Sequence, residues 1–163
     1  MVNPNTHTHD RTTPVELTNM IMIENATTGQ LLVQHRVKDA WSGLAFPGGH
    51  IEPGETVTAS VYREALEETG LVIAHPQFVG IKEWPIGDGA RYIVFLYKTT
   101  EYQGELQARE GALRWLTRAE ILSGDYELPN TFAEMFQVFD DTTVNELALG
   151  VQDAQGQRVI RWE

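Results

Sequence analysis

Segment 49–71, GHIEPGETVTASVYREALEETGL, constrains the fold more than any other stretch of the chain. Thr56 stands where a helix N-cap belongs and Gly70 where a left-handed C-terminal cap belongs, so the spacing predicts a helix from 56 to about 69. At about 100° per residue, Glu64, Glu67 and Glu68 fall within an arc of roughly 100°. Carboxylates crowded on one arc repel one another unless a cation lies between them. Val57 and Val61 project toward the side of Glu64 and Glu68, which sets this face apart from free solvent surface. Arg63 has the fork to hold a carboxylate bidentately, although an ordinary helical ion pair also explains it. Gly48 and Gly49 let the backbone approach a ligand closely and free a carbonyl, while the commoner use of Gly-Gly is a tight turn. Magnesium takes oxygen ligands and keeps waters that bridge to phosphates. The acids alone read equally as a metal site and as a solvated acidic face; the glycines before them favour the metal.

Composition narrows the partners. The formal net charge of −11 repels nucleic acid polymers, whose binding depends on clustered Lys and Arg. A phosphate substrate is still compatible if divalent cations lie between it and the acids. Outside 55–68 the acids read as solubility. The absence of cysteine excludes disulfides, thiolate zinc sites and a cysteine nucleophile. No apolar run approaches the roughly 20 residues that span a bilayer, and residues 1–14 carry no apolar signal core. The expectation is a cytoplasmic protein with no membrane partner.

Residues 1–14 read as a disordered lead-in and 15–163 as a single domain. Strands are expected at 15–24 and 30–36, joined as a hairpin by a turn at 26–29, with a loop at 38–43 and a short strand at 44–46. Two strands at 78–84 and 91–99 flank Gly87-Asp88-Gly89. A strand at 112–116 leads to a short helix capped by Thr117 and Glu120. Phe132, Met135, Phe136 and Phe139 predict the buried face of a longer helix at 131–139. A terminal hairpin at 144–162 either closes the domain or pairs with a second copy in a homodimer. The mix predicts an α/β fold, a strand-rich sheet flanked by a few helices.

The segment resembles the Nudix box, G-x5-E-x7-R-E-U-x-E-E-x-G-U, with U a bulky aliphatic residue. Gly49, Glu55, Arg63, Glu64, Glu67, Glu68, Gly70 and Leu71 match; Ala65, at the first U, is small. The resemblance implies an α/β/α sandwich with a mixed β-sheet and hydrolysis of a nucleoside diphosphate linked to another moiety, with Mg2+ as cofactor and Mn2+ as a substitute. It assigns Glu64, Glu67, Glu68 and the Gly48 carbonyl as metal ligands. Arg63 would orient the cluster and Glu55 would organise metal or water. The base is Glu67 or Glu68, with Glu110 as a further candidate. Glu110 and Arg36 resemble the metal-reaching glutamate and the substrate-contacting arginine of the MutT-like branch. Asn130 resembles its purine-reading asparagine and equally suits a helix cap. Phe46 stands beside the substrate loop and also fits the core, and Trp41, Trp84, Tyr92 and Phe132 are either base-stacking or packing aromatics. These matches imply a small-molecule nucleotide substrate, an 8-oxo-dGTP-like triphosphate cut to monophosphate and pyrophosphate. Pro85 resembles the proline mark of ADP-ribose hydrolases, the second reading. A non-catalytic nucleotide sensor on the same scaffold is the third.

Overall fold

The structure is a computed structural model and describes residues 12–38, 41–108 and 111–163. Most of the expected lead-in lies outside the described residues. In chain order the elements are β1 (Val15–Ile23), β2 (Leu31–Lys38), β3 (Trp41–Ala45), α1 (Val57–Thr69), β4 (Val72–Ala74), β5 (Gln77–Pro85), β6 (Arg91–Thr99), β7 (Glu101–Gln103), β8 (Ala112–Leu116), α2 (Arg118–Ile121), a 3-10 turn (Ala133–Met135) leading into α3 (Phe136–Asp140), β9 (Glu146–Gln152) and β10 (Arg158–Trp162).

Five strands form a mixed sheet in the order β1-β6-β5-β9-β10. β1 runs parallel to β6 and β5 parallel to β9, while the β5–β6 and β9–β10 pairs are antiparallel. A second sheet has the order β3-β2-β8, and β4 pairs with β7. Successive residues of a strand point to opposite faces, and here both faces are covered. Ile21 and Ile23 pack with Leu32, Val61, Ala65 and Leu71 on the α1 side. Met22 packs with Val94, Leu96, Phe136 and Phe139 on the α3 side. Each fully buried Leu, Ile or Phe stabilises the fold by about 1.5–3 kcal/mol, so the two cores together fix the α/β/α layering.

Three expectations are corrected. β1 and β2 do not form a hairpin; among the described residues a single bridge, Glu24 to Leu31, joins them. The edge of β1 that such a hairpin needs is taken by the loop at 47–51: Asn19 N–H donates to the Gly49 carbonyl (2.9 Å), Ile21 N–H to that of Pro47 (2.8 Å), and Ile51 N–H to that of Leu17 (3.0 Å). β2 instead pairs antiparallel with β3 from Lys38–Trp41 to Gln34–Ala45, so most of the expected loop at 38–43 is strand. The helix expected at 131–139 is shorter, because Thr131 has φ +63° and the chain turns helical only after it. Its four apolar residues are buried as their spacing predicts. The terminal hairpin forms and extends the protein's own sheet through β5 and β9.

Candidate active site

The loop before α1 is fixed by close backbone approach. A Cβ at Gly48 would lie 2.2 Å from the Asn19 carbonyl oxygen, so no side chain fits against β1 there. The Asn19 amide donates to Ser60 Oγ (2.9 Å) and to the Gly49 carbonyl (3.4 Å), which ties strand, loop and helix together. Thr56 caps α1 by accepting from Ala59 N–H, and Gly70 ends it at φ 76°. Val61 and Ala65 face the sheet and are fully buried, so the small Ala65 is a packed position rather than a gap. With those residues inward, α1 turns its acids toward the loop.

Two arginines organise these acids. Arg63 grips Glu55 bidentately, Nε to Oε2 at 3.1 Å and Nη2 to Oε1 at 2.6 Å. Its Nη1 donates to Glu64 Oε1 (2.7 Å) and Glu67 Oε2 (3.2 Å), and its Nη2 to the His50 carbonyl (3.0 Å). The bonds to Glu55 first, and then to Glu64, hold the Arg63 guanidinium above its ordinary range. The bond from Arg63, then that from Glu52 N–H, holds the Glu55 carboxyl below the usual carboxylate range. Arg36 lies on β2 and is oriented by Gln34 Oε1 (2.8 Å). Its Nη2 bonds Glu68 Oε1 and approaches the Gly48 carbonyl (3.4 Å), while Glu68 Oε2 accepts from Gly48 N–H (2.8 Å).

The donors fit a hard divalent cation. Arg36 already holds positive charge between the Gly48 carbonyl and Glu68, two of the four expected ligands. Gly49 leaves clear the space where a Cβ would meet the Glu64 carboxylate at 2.5 Å. Glu67 is the most solvent-facing of the acids, its side chain 47% exposed. Among the described residues no three carboxylates are already closed into a cage. A cation held by Gly48, Glu64 and Glu68 would compete with Arg36 for the Glu68 carboxylate. Glu110 lies outside the described residues.

A cleft of about 670 Å³ opens beyond β5, with Ser42, Lys82, Trp84, Glu127, Asn130 and Thr131 in its wall. Trp84 and Tyr92 stack on each other (centroids 4.5 Å apart), and Tyr92 meets the ring of His50, the residue after Gly49. The cleft wall thus connects to the acidic loop. Asn130 lines the cleft and does not cap the following turn, whose N-cap is Phe132 without a side-chain bond. Phe46 is corrected as a substrate contact: its ring is 1% exposed and packs on Phe132, Phe136 and Phe139. The side chain of Trp41 lies outside the described residues. Sequence reasoning missed Lys82; its signal is the alternation of β5, which puts it on one face with Trp84.

A family model described as the NUDIX domain matches residues 17–139. The chain is 34% identical over 95 residues to the uncharacterized Nudix hydrolase YvcI of Bacillus subtilis, covering 55% of this chain and 59% of that protein. It is 37% identical over 75 residues to the NAD-capped RNA hydrolase NUDT12 of Homo sapiens, covering 45% and 16%. The chain therefore spans less than two thirds of either relative. The crystal structure of a MutT protein from Bacillus halodurans superposes with a TM-score of 0.66 at 22% identity, covering 91% of this chain and 97% of that one; at that identity the likeness is one of fold. The domain match runs from within β1 to within α3 and encloses the acidic helix with both arginines, and on that extent the chain belongs to the Nudix family.

Proposed function

We propose that the chain is a Mg2+-dependent hydrolase of a nucleoside diphosphate-X anhydride, and that X is a further phosphate, as in an 8-oxo-dGTP-like triphosphate cut to monophosphate and pyrophosphate. The observation that carries this reading is the Arg36 cation held between the Gly48 carbonyl and Glu68, with the Glu64 carboxylate lying against the neighbouring Gly49. Glu64, Glu68 and the Gly48 carbonyl would hold a divalent cation, which when bound would neutralise the diphosphate and activate the attacking water. Arg63 and Glu55 keep Glu64 aimed at the loop. Once freed from Glu68, Arg36 binds a substrate phosphate oxygen through its planar fork. Glu67, the least enclosed acid, accepts the proton of the water. Glu55 organises water beside it, and Asn130 faces the base in the cleft.

The second reading is ADP-ribose or another nucleotide joined to a sugar, and Pro85 in the cleft wall favours it. One experiment separates them: purified protein with Mg2+, a panel of nucleoside triphosphates, ADP-ribose and NAD, and product identification. Monophosphate with pyrophosphate from a triphosphate supports the first reading, and turnover of ADP-ribose alone moves the assignment to the second. Glu68→Gln should keep the fold and reduce turnover at least a hundredfold, on the order of a lost transition-state charge contact. A panel with no turnover, together with nucleotide binding unchanged in Glu68→Gln, rejects the hydrolase.

A further inference from the structure

Lys82 stands where an apolar residue belongs. In the sheet it lies between Val94 on β6 and Leu147 on β9, both in the α3-side core, and it is itself 8% exposed. An ammonium buried in such a row costs stability unless its donors find partners. Among the described residues its hydrogen bond is a long one, 3.4 Å to the Asn130 carbonyl, and the charge lies 5.6 Å over the Trp84 ring. The ammonium has three donors and no acceptor, and its residue lines the cleft. The cleft wall also holds Thr131 at φ +63°, a conformation that a β-branched residue rarely adopts and that clusters at ligand sites. Glu127 supplies an acceptor-only carboxylate to the same wall, its Oε2 taken by Ser42 at 2.6 Å. Leu149, Gly150 and Arg158 of the terminal hairpin complete the wall, and they lie beyond residue 139, where the family match ends.

We infer that Lys82 and Glu127 form a donor and acceptor pair that reads the lactam edge of a nucleobase, a carbonyl oxygen next to a ring N–H. This inference rests on the nucleotide reading of the site and deepens it. A 6-oxopurine offers oxygen to the ammonium and N–H to the carboxylate. A 6-aminopurine presents the reverse pattern, an amino donor against the ammonium and a ring nitrogen acceptor against the carboxylate. The ammonium of the buried Lys82 then meets a donor in place of an acceptor, and a hydrogen-bonding site discriminates strongly when its buried group is left unpaired by the ligand. The alternative role for Lys82 is a structural tie that holds segment 129–131 through the Asn130 carbonyl. A tie affects all bases alike, whereas edge reading affects one kind of base.

The test is binding without chemistry. Inosine and adenosine 5′-monophosphates differ at this edge alone, and each is titrated calorimetrically into the wild type, Lys82→Met and Lys82→Arg. The wild type should favour the inosine nucleotide about ten- to a hundredfold, the discrimination of a good donor–acceptor match to a base edge. Lys82→Met, of similar length and without donors, should bring the two affinities to parity by weakening the inosine complex. Lys82→Arg should keep the preference. A wild type without preference, or a Lys82→Met protein that keeps it while folded by circular dichroism, overturns the inference. Failure of the triphosphate reading is distinguishable, because it removes turnover in the substrate panel and leaves the inosine preference in binding.

Discussion

Gly48 and Gly49 are adjacent, yet a methyl group at each meets a different obstacle. At Gly48 the obstacle is the backbone of β1, which cannot yield without breaking the bonds that hold the loop. At Gly49 it is the Glu64 carboxylate, the end of a side chain that can rotate. Gly48→Ala should therefore destabilise the fold by about 3 kcal/mol, the upper range for forcing a carbon into a packed site. Gly49→Ala should cost about 1 kcal/mol or less in stability. It should nonetheless lower turnover about a hundredfold by moving a carboxylate roughly 1 Å from its productive place. Urea denaturation beside a turnover assay separates the two effects. Equal stability losses would show that the loop is not pinned by β1 as these contacts imply.

At the scale of elements, α1 was legible in the sequence because its signals are local. Thr56, Gly70 and the acid spacing all sit within one short segment, and the two caps act where they are expected. The C-terminal cap can be tested against a control. Gly70 has φ 76°, and a Cβ there would lie 2.9 Å from Gln107 Cβ and from the Glu105 carbonyl oxygen. Gly54 has φ 90° with nothing within 4 Å. Gly54→Ala should cost only the left-handed backbone term, about 1 kcal/mol, and Gly70→Ala about 2 kcal/mol or more. Thermal melts that shift equally would mean that segment 105–107 does not press on the cap. The pairing of β1 and β2 was not legible, because it depends on which segment reaches the free edge of β1. Residues 47–51 reach it first, and no turn signal at 26–29 encodes that. The helix expected at 131–139 is shorter in the structure because apolar spacing reports a buried face, not the left-handed turn at Thr131 that delays it. The site divides in the same way. Arg63 and the box acids were readable from spacing, while the Arg36–Glu68 contact and the place of Lys82 require strands far apart in sequence to meet.

For the whole molecule, Lys82 carries a measurable consequence of building a cleft into a core. Burial lowers its pKa from an ordinary 10.5 to about 8, against the opposing influence of Glu134. Below pH 8 the lysine is charged in both folded and unfolded chains, and the folded protein bears the full cost of the buried ammonium. Between about 8 and 10.5 the unfolded chain binds a proton that the folded one has released, so stability rises with pH. Above 10.5 both states are neutral and the cost is gone. At roughly 1.4 kcal/mol per pH unit across that interval, the cost present at neutral pH is about 3 kcal/mol. Lys82→Met should therefore be the more stable protein at pH 7, and its advantage should shrink as the pH rises through that window. Tyrosines that titrate near its upper end, including Tyr92, whose hydroxyl burial holds above its ordinary range, affect both proteins and cancel in the difference. Denaturation midpoints for the pair from pH 7 to 10.5 measure it directly. Parallel curves would mean that the ammonium is solvated through the cleft and has no reason to seek a base. A narrowing gap would mean that the fold keeps a residue that weakens it, as proteins do where a side chain serves a ligand rather than the core.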